Sequence, residues 1–493
     1  MRLIRYLTIV AVGLLGSACN SPEDGGAGLN SPTAPQYPFV AGYPTETASE
    51  ALYDEMDLQR ATQAYIWSVS LANSMGFRNG MADFGVTEQN RKLLVFENAA
   101  LPQQSILTAN SVTPYLWGLF DLAADGPMVV HMPAETVLGG FVDFWMRGMA
   151  DFGAPGEDAG KGGDYLFLPP NYDGEVPDGY FVVHATSNLV WIFGKVNGAQ
   201  YKGETAFDEV KKVLVYPLSE ASNPPAEAGM VAVGEAAFSQ DWPKDFEYWT
   251  WVAEALNRDV VRPIDKVMHE FLAPLGIVHG QSFAPDDRQR RILTKAAELG
   301  DKMVTSMAFD NRDIPPYYEG KYWEGIIATT TWNFETDTRV ELTARAAGWY
   351  QVCFNGRYLY ELEEPVIGAG SAYLAAYKDG AGAYLNGSNS YRLRIPAEVP
   401  VANFWSVTVY DTTLRAMIQN EQGLAGIAGP DNPVVNDDGS IDMYFGPKKP
   451  AASNANWIQT NPDKGWFMYF RFYGPEQEYY DKSWQLNDVE LLR

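Results

Sequence analysis

Short segments of alternating apolar and polar residues dominate the last quarter of the chain. Residues 391–395 (YRLRI) alternate apolar and cationic side chains, which is the period of a strand with one buried and one exposed face. Residues 403–410 are almost continuously aromatic or β-branched and predict a strand buried on both faces. Residues 465–473 alternate again, and Asp438-Gly439 predicts a hairpin turn between strands. Many short strands with regular turns favour a sandwich or jelly roll.

The earlier part of the chain combines strand patterns with helical ones. The predicted strands cover residues 128–132, 165–168, 180–184 and 190–196. The predicted helices cover residues 47–75, with a capping box of Thr47 and Glu50, then 242–257, 286–299 ended by Gly300, and 338–352. The sequence therefore predicts a mainly β protein with an N-terminal β-sandwich-like domain, a helical connector and a C-terminal jelly-roll-like β-sandwich.

The N-terminus has the pattern of a secretory signal. Arg2 and Arg5 precede an apolar stretch at residues 7–15 that is too short to span a bilayer. Residues 16–19 (GSAC) resemble a bacterial lipobox, with Gly16 where leucine is usual, and a polar segment follows Cys19. We expect lipidation of Cys19 and a protein anchored in the cell envelope, on the outer membrane or the periplasmic face in a Gram-negative host. The alternative is an ordinary cleaved signal.

Composition narrows the possible partners. The 493 residues carry a formal net charge of −26 and contain only the cysteines Cys19 and Cys353. Such an acidic chain lacks the basic stripe that nucleic acid requires, so we expect no nucleic-acid partner. A lipidated Cys19 would leave Cys353 without an internal disulfide partner.

Four segments together resemble a known bacterial family. Residues 52–67, the motif 110–115 (NSVTPY), residues 215–218 (VYPL) and the strand-rich run 391–484 are similar to proteins that join the domain of unknown function 1254 to the domain of unknown function 1214. Val112 stands where that family commonly has Asp. Together with the residue patterns, the resemblance leads us to expect these segments: 1–18 signal peptide, 19–44 flexible tether, 45–240 domain 1254, 241–360 helical connector and 361–493 domain 1214.

Motifs of metal and nucleophile chemistry are incomplete. His131 and His184 each follow a Val-Val pair and are interpreted as separate core or rim histidines rather than metal ligands. His269-Glu270 lacks the second histidine of a zinc protease helix, and Ser371 lacks the glycine that follows a hydrolase nucleophile. Neither a cofactor nor a metal is predicted.

Polar and aromatic residues at the ends of the C-terminal strands are the best candidates for a ligand site. The candidates are Tyr410, Asp411, Arg415, Asn456, Trp457, Arg471, Tyr473 and Trp484.

Arg471 is the most informative of these candidates. It lies between Phe470 and Phe472, so its side chain should point to the opposite face, where an unpaired arginine is costly. One interpretation is a clamp for a carboxylate or another anion, with aromatic rings as a wall. The other is a buried ion pair with Asp411 or Asp481 that holds the sandwich together.

We expect one of two functions for the protein: a binding or accessory protein for a small molecule or carbohydrate, or an envelope hydrolase with a carboxylate, arginine and tyrosine in a cleft.

Overall fold

The computed structural model describes residues 37–196, 203–327, 329, 331–352, 365–368, 370–451 and 454–492, and the chain divides into compact units of residues 1–54 and 55–493. The predicted signal peptide, Cys19 and Cys353 lie outside the described residues. In the first unit, β1 (Phe39–Val40) pairs antiparallel with β2 (Tyr43–Pro44), so the end of the predicted tether forms a short hairpin. Thr45, rather than the predicted Thr47, accepts a hydrogen bond from the backbone of Ala48.

The long helix α1 (Glu46–Asp83) leads into the first β region and extends beyond its predicted end. The strands of this region are β3 (Leu93–Phe96), β4 (Gln104–Ser105), β5 (Tyr115–Asp121), β6 (Met128–Met132), β7 (Val137–Asp143), β8 (Gly148–Phe152), β9 (Gly163–Leu168), β10 (Phe181–His184), β11 (Leu189–Val196), β12 (Leu214–Pro217), β13 (Met230–Ala232) and β14 (Phe238–Ser239). Short helices α2 (Leu122–Asp125) and α3 (Glu204–Val210) connect them.

Two sheets organise this region. One has the strand order β13-β3-β5-β11-β7-β8, and the other has the order β10-β9-β6-β12. Apolar residues between them, including Phe120, Phe141 and Phe167, form a common core. On the outer side of the first sheet, Phe77 of α1 packs edge-on against Trp117 with centroids 4.9 Å apart. Central strand β11 is therefore covered on both faces, which explains why its sequence is continuously apolar from Leu189 to Phe193.

The predicted helical connector is present as α4 (Glu247–Arg258), α5 (Lys266–Leu272), α6 (Asp287–Phe309) and α7 (Leu342–Gln351). Asp286 and Gln289 form a capping box at the start of α6. The predicted stop at Gly300 is wrong, because α6 continues to Phe309. A Cβ atom at Gly300 would lie 2.5 Å from Cγ of Tyr65, so this glycine permits close packing rather than ending the helix.

The C-terminal region is a second pair of sheets. Its elements are β15 (Trp323–Gly325), β16 (Ser371–Ala376), β17 (Ser390–Ile395), β18 (Val401–Asp411), β19 (Gly426–Ala428), β20 (Ile441–Gly446), β21 (Asn456–Gln459), β22 (Trp466–Pro475), α8 (Gln477–Tyr480) and β23 (Glu490–Leu492). The strand orders are β15-β16-β22-β18-β19 and β21-β20-β17-β23. The predicted mainly β architecture with a helical segment is confirmed. The predicted hairpin at Asp438-Gly439 is wrong in one respect: the turn exists, but β20 pairs with β17 and β21 rather than with a strand directly before the turn.

Candidate functional site

Strand β22 has two chemically different faces. Phe470 stacks on Trp405 with ring centroids 5.6 Å apart, and Phe472 contacts Trp484 at 5.9 Å. Arg471 lies between these phenylalanines, and strand alternation places its side chain on the other face. The predicted orientation of Arg471 is confirmed, and its side chain is almost completely buried, with 4% exposure.

Neutral oxygen atoms, rather than a carboxylate, accept the hydrogen bonds of Arg471. Its Nη1 donates to Oγ1 of Thr408 at 3.1 Å, and its Nη2 donates to the carbonyl oxygen of Thr108 at 2.6 Å. Among the residues that the structure describes, no carboxylate lies within 4.0 Å of this guanidinium. The predicted ion pair with Asp411 or Asp481 is therefore wrong.

Both of these aspartates stabilise turns instead. The Oδ1 atom of Asp411 accepts the backbone N–H groups of Thr413 and Leu414 at 2.8 and 3.0 Å, and its Oδ2 pairs with Lys464 at 3.0 Å. Asp481 lies exposed just after α8 and accepts the backbone N–H of Ser483. Turn formation uses carboxylates at strand and helix ends, which the strand period alone does not reveal.

Tyrosine rings surround the Arg471 guanidinium. The Cζ atom lies 5.3 Å from the ring centroid of Tyr373, 5.7 Å from that of Tyr410 and 5.5 Å from that of Tyr469. The Tyr410 hydroxyl donates to the carbonyl of Ala109 at 2.8 Å, which fixes its ring in place. Each such contact contributes about 0.5–2 kcal/mol, so the rings offset part of the cost of burying the charge.

A second cation, Lys195, is near enough to Arg471 for the two charges to interact. Lys195 is near the end of β11 and is directly opposite Tyr115 of β5. Burial, together with the nearby charge of Arg471, lowers the pKa of Lys195 to about 8. Within the described ranges no carboxylate lies within 4.0 Å of its Nζ. Lys195 is not among the predicted site residues, although a single cation in an otherwise apolar strand (LVWIFGKV) is a signal that could have identified it.

Two buried hydroxyl groups lie on the same face as Arg471. Ser406 of β18 is directly opposite Arg471, and Tyr473 follows it by two residues on β22. The Ser406 Oγ and the Tyr473 hydroxyl lie next to each other and interact, and neither has another hydrogen-bond partner in the described part of the chain. Burial raises the pKa of Tyr473, so its hydroxyl remains a neutral donor.

The motif 110–115 shapes the side of the site that faces Arg471. The Asn110 side-chain oxygen accepts the backbone N–H groups of Val112 and Thr113, each at 2.9 Å, and the Asn110 amide is hydrogen-bonded to the Tyr115 hydroxyl. These bonds use the backbone of residue 112, so Val112 is compatible with the loop although the related proteins commonly have Asp. Asn110 thereby holds Tyr115 beside Lys195.

Thr108 has a strained backbone where the first β region meets the second. Its φ angle is +38°, which a β-branched residue rarely adopts. Three hydrogen bonds stabilise this conformation. The Thr108 carbonyl accepts from Arg471, the Thr108 Oγ1 donates to the carbonyl of Gln351 at 2.8 Å, and the Thr108 N–H donates to the carbonyl of Arg415 at 2.8 Å. Strain of this kind, about 1–3 kcal/mol, persists only where surrounding contacts enforce it.

Arg415, another predicted site residue, is a structural link. Its guanidinium is fully buried, 4.7 Å from the ring centroid of Trp242 and 4.2 Å from that of Tyr350. It donates to the Tyr350 carbonyl at 3.0 Å and pairs with Asp241 at 3.2 Å. These contacts connect the C-terminal sandwich to the helical connector.

The remaining predicted residues lie elsewhere. The Asn456 side-chain oxygen accepts the backbone N–H of Val434, the Trp457 indole donates to the carbonyl of Gly446, and Trp484 packs on the phenylalanine face of β22. The structure therefore brings together Tyr410, Arg471 and Tyr473 of the eight candidates. It does not bring Asp411, Arg415, Asn456, Trp457 or Trp484 to the same place.

A second group of cations, around Arg147, is paired with carboxylates, unlike Arg471 and Lys195. Arg147 pairs with Asp143 at 2.7 Å and with Glu335 at 3.4 Å, and Glu335 also pairs with Arg262 at 2.8 Å. Burial raises the pKa of the neighbouring Asp259 to about 6. Here carboxylates accompany the guanidiniums, in contrast to Lys195 and Arg471.

The histidines do not form a metal site. His131 pairs with Asp164 at 2.7 Å, and His184 lies on β10, separated from β6 by β9. Within the described residues no group of three or more His, Cys, Asp or Glu side chains is arranged to hold a metal ion. A separate search of these residues for a helix with the length and apolar character of a membrane span found none.

These features define a protein with two β regions joined by helices, with the buried Arg471 and the partly exposed Lys195 where the regions meet. Residues 92–217 match the family described as "Protein of unknown function (DUF1254)", and residues 370–477 match "Protein of unknown function (DUF1214)". The two matches lie in tandem along the chain, as the sequence predicted. Lys195 lies in the first matched segment and Arg471 in the second.

One solved structure supports this fold. The crystal structure of the VPA0106 protein from Vibrio parahaemolyticus has a TM-score of 0.53 and 21% sequence identity, covering 89% of this chain and all of that one. An uncharacterised protein from Burkholderia cenocepacia has a TM-score of 0.36 and 9% identity, covering 90% of this chain and 96% of the other. Among curated protein sequences, none matches this chain.

Proposed function

We propose that the protein binds a small organic anion between Lys195 and Arg471. The observation that carries this proposal is the pair of neighbouring cations without a carboxylate within 4.0 Å among the described residues. Two like charges in a buried setting repel each other, and each loses solvation. A carboxylate or phosphate between them would offset both costs.

The acidic net charge of the whole chain strengthens the argument that Lys195 and Arg471 form an anion site. With a formal net charge of −26, the protein has many acidic side chains that could have neutralised either cation. Elsewhere it does so, as Asp143 does for Arg147. A cation pair kept apart from acidic groups is the pattern of an anion site rather than of a structural ion pair.

The surroundings of the cations indicate the class of ligand. Tyr373, which is 38% exposed, and the half-buried Tyr115 border the site, and the neighbouring hydroxyls of Ser406 and Tyr473 lie on the same face as Arg471. Aromatic walls suit an organic body, and the hydroxyls suit additional oxygen atoms on it. We therefore favour a small carboxylate or phosphate ester over a bare inorganic ion.

The geometry favours this function over the other candidates. A neutral carbohydrate would leave both positive charges uncompensated. A hydrolase of the expected type needs a carboxylate beside Arg471, and the described residues place none within 4.0 Å.

A thermal-shift screen of the purified mature protein tests the proposal. The screen uses small carboxylates, phosphate esters and inorganic phosphate, each organic anion paired with a neutral amide or alcohol of the same shape. We expect selected anions, but not their neutral partners, to raise the melting temperature, because a ligand that binds the native state stabilises it. The shift should disappear in Lys195→Met and in Arg471→Met.

A surface lysine provides the matched control. Lys212 pairs with Glu209 at 2.7 Å and is largely exposed, so Lys212→Met removes one positive charge without touching the proposed site. An anion response that is lost equally in Lys212→Met would reflect net charge rather than the site, and would contradict the proposal.

We also propose that the protein is exported and anchored to the envelope through a lipid on Cys19. The support is the lipobox-like sequence and the polar segment after it. Metabolic labelling with a fatty-acid analogue tests this: wild type should be labelled and Cys19→Ala should not. Equal labelling of both would contradict lipidation at this residue.

A further inference from the structure

We infer that the hairpin formed by β1 and β2 contacts a lipid bilayer and buries its apolar side chains in the interfacial region. The hairpin lies in the first compact unit, where Phe39–Val40 pairs antiparallel with Tyr43–Pro44. This inference goes beyond the proposed anion site and does not depend on it. It gives the protein a membrane contact of its own, in addition to the lipid proposed on Cys19.

The hairpin exposes large apolar side chains to an unusual extent. Tyr43 is 77% exposed and Val40 is 67% exposed, the two highest values among the exposed large apolar side chains of the described residues. Phe39, on the neighbouring position, is 55% exposed. A single exposed apolar side chain is ordinary, whereas several within five residues indicate an interaction surface.

Both faces of the hairpin are apolar. Val40 is directly opposite Tyr43, and Phe39 is directly opposite Pro44, so the two pairs project from opposite faces. A groove on a protein partner would cover one face of such a ribbon and leave the other in water. The interfacial region of a bilayer surrounds an inserted loop on all sides, and tyrosine is enriched there. This arrangement therefore favours lipid over a protein partner.

The backbone holds the hairpin in this shape. The turn residues Ala41 and Gly42 have φ angles of +52° and +85°, both positive as in a type I′ turn. Beyond the paired strands, the N–H of Thr45 donates to the carbonyl of Pro38 at 3.1 Å. A preformed loop loses little conformational entropy when it binds.

The sequence around the hairpin lacks charge. No Asp, Glu, Lys or Arg occurs from Gly25 to Thr45, although the whole chain has a formal net charge of −26. Charged groups resist transfer from water towards hydrocarbon, so this uncharged segment is the part of an acidic chain that can approach a bilayer most easily. Phe39 follows Cys19 by 20 residues, which span at most about 70 Å, so a lipid on Cys19 would keep the hairpin near the membrane.

Vesicle flotation tests this inference. The mature chain is prepared from residue 20 onward without lipid, so that only the protein surface contributes to binding, and is mixed with phosphatidylcholine vesicles at millimolar lipid. We expect wild type to float with the vesicles. The triple variant Phe39→Ser, Val40→Ser, Tyr43→Ser should bind about tenfold more weakly or less, because binding strength follows the apolar area buried. Salt should change the binding of wild type little, since the segment is uncharged.

A second triple variant is the matched control. Tyr384, Val434 and Val435 are also apolar and exposed, at 53%, 44% and 54%. The variant Tyr384→Ser, Val434→Ser, Val435→Ser should float as wild type does. An equal loss of binding in both triple variants would indicate general adhesion of apolar surface and would contradict a specific role of the hairpin.

Further results would overturn the inference. If wild type does not float, or if the hairpin variant floats equally well, the hairpin is not a membrane contact. If wild type self-associates in sedimentation velocity and the hairpin variant does not, the hairpin is an interface between copies of the chain. A melting temperature several degrees lower in the hairpin variant would show that these side chains pack against protein. Fatty-acid labelling tests the lipid on Cys19 separately, so the two proposals can fail independently.

Discussion

The guanidinium of Arg471 donates a hydrogen bond of 2.6 Å to the carbonyl of Thr108, a residue with a φ angle of +38°. Arg471 belongs to the C-terminal sandwich, whereas Thr108 precedes β5 of the first β region. The contact therefore ties the two regions together at the place where the cation pair lies. It also explains why a strained threonine is tolerated, because its carbonyl and its hydroxyl are both engaged.

Replacing Arg471 with Met should destabilise the protein only moderately. The variant loses hydrogen bonds to Thr408 and Thr108, but it also removes the cost of burying an unpaired charge, so we expect a net loss of about 1–2 kcal/mol in the free energy of unfolding. Arg147→Met is the matched control, since it leaves Asp143 buried without its partner and should cost about 3–5 kcal/mol. Urea unfolding of both variants gives the comparison. A loss for Arg471→Met as large as that for Arg147→Met would indicate a carboxylate partner after all.

Replacing Lys195 with Met should stabilise the protein while removing anion binding. The lowered pKa shows that the folded state disfavours the Lys195 cation, so an apolar side chain of similar length should raise the free energy of unfolding by about 1–3 kcal/mol at pH 7. Thermal unfolding measures this gain, with Lys212→Met expected to change little. A strongly destabilised Lys195→Met would mean that the lysine is part of the scaffold.

Glu324 should make stability depend on pH. Burial raises its pKa from 4.5 to about 7, so between these values the folded state holds more protons than the unfolded state. The contribution of Glu324 to stability therefore falls as pH rises from 4.5 to 7 and stays low above 7. Glu324→Gln should be more stable than wild type at pH 8, by up to about 3 kcal/mol, and similar to it at pH 4. Chemical unfolding of both proteins across this range tests the prediction, and an equal difference at both pH values would contradict it.

Gly300→Ala should destabilise the protein although alanine is the better helix former. Helix propensity alone would give a gain of about 1 kcal/mol. The added Cβ would lie 2.5 Å from the buried ring of Tyr65, and overpacking of this kind costs about 1–3 kcal/mol. Gly348→Ala in α7 is the control, because its Cβ would be 3.5 Å from the nearest atom, in Phe334, and it should be neutral or stabilising. A gain in melting temperature for Gly300→Ala would show that Tyr65 moves aside easily.

The sequence predicted the structure well in segments whose own hydrophobic pattern determines the element. The alternation in β22 placed Arg471 opposite Phe470 and Phe472, and the apolar runs located β6 and β11 to within a residue. Gly300 was misjudged because the need for a glycine comes from Tyr65, which lies 235 positions earlier in the chain. Local patterns do not contain such contacts.

The same limit applies to the candidate site. Arg471 could be recognised as a buried cation, but its surroundings depend on Thr108 and Lys195 from the first β region, which no spacing in the sequence connects to β22. Asp411 was a reasonable candidate for the partner of Arg471, because it is acidic and belongs to a predicted strand of the same sandwich. Its carboxylate is occupied by a turn and by Lys464, and this can be seen only in three dimensions.

The most direct measurement is calorimetric titration of one small carboxylate and its neutral amide into wild type, Lys195→Met and Arg471→Met. If Lys195 and Arg471 form an anion site, the carboxylate binds wild type, the amide does not, and either substitution weakens binding by about tenfold or more. Equal binding of the carboxylate and the amide, or undiminished binding in both folded variants, would contradict an anion site between the two domains.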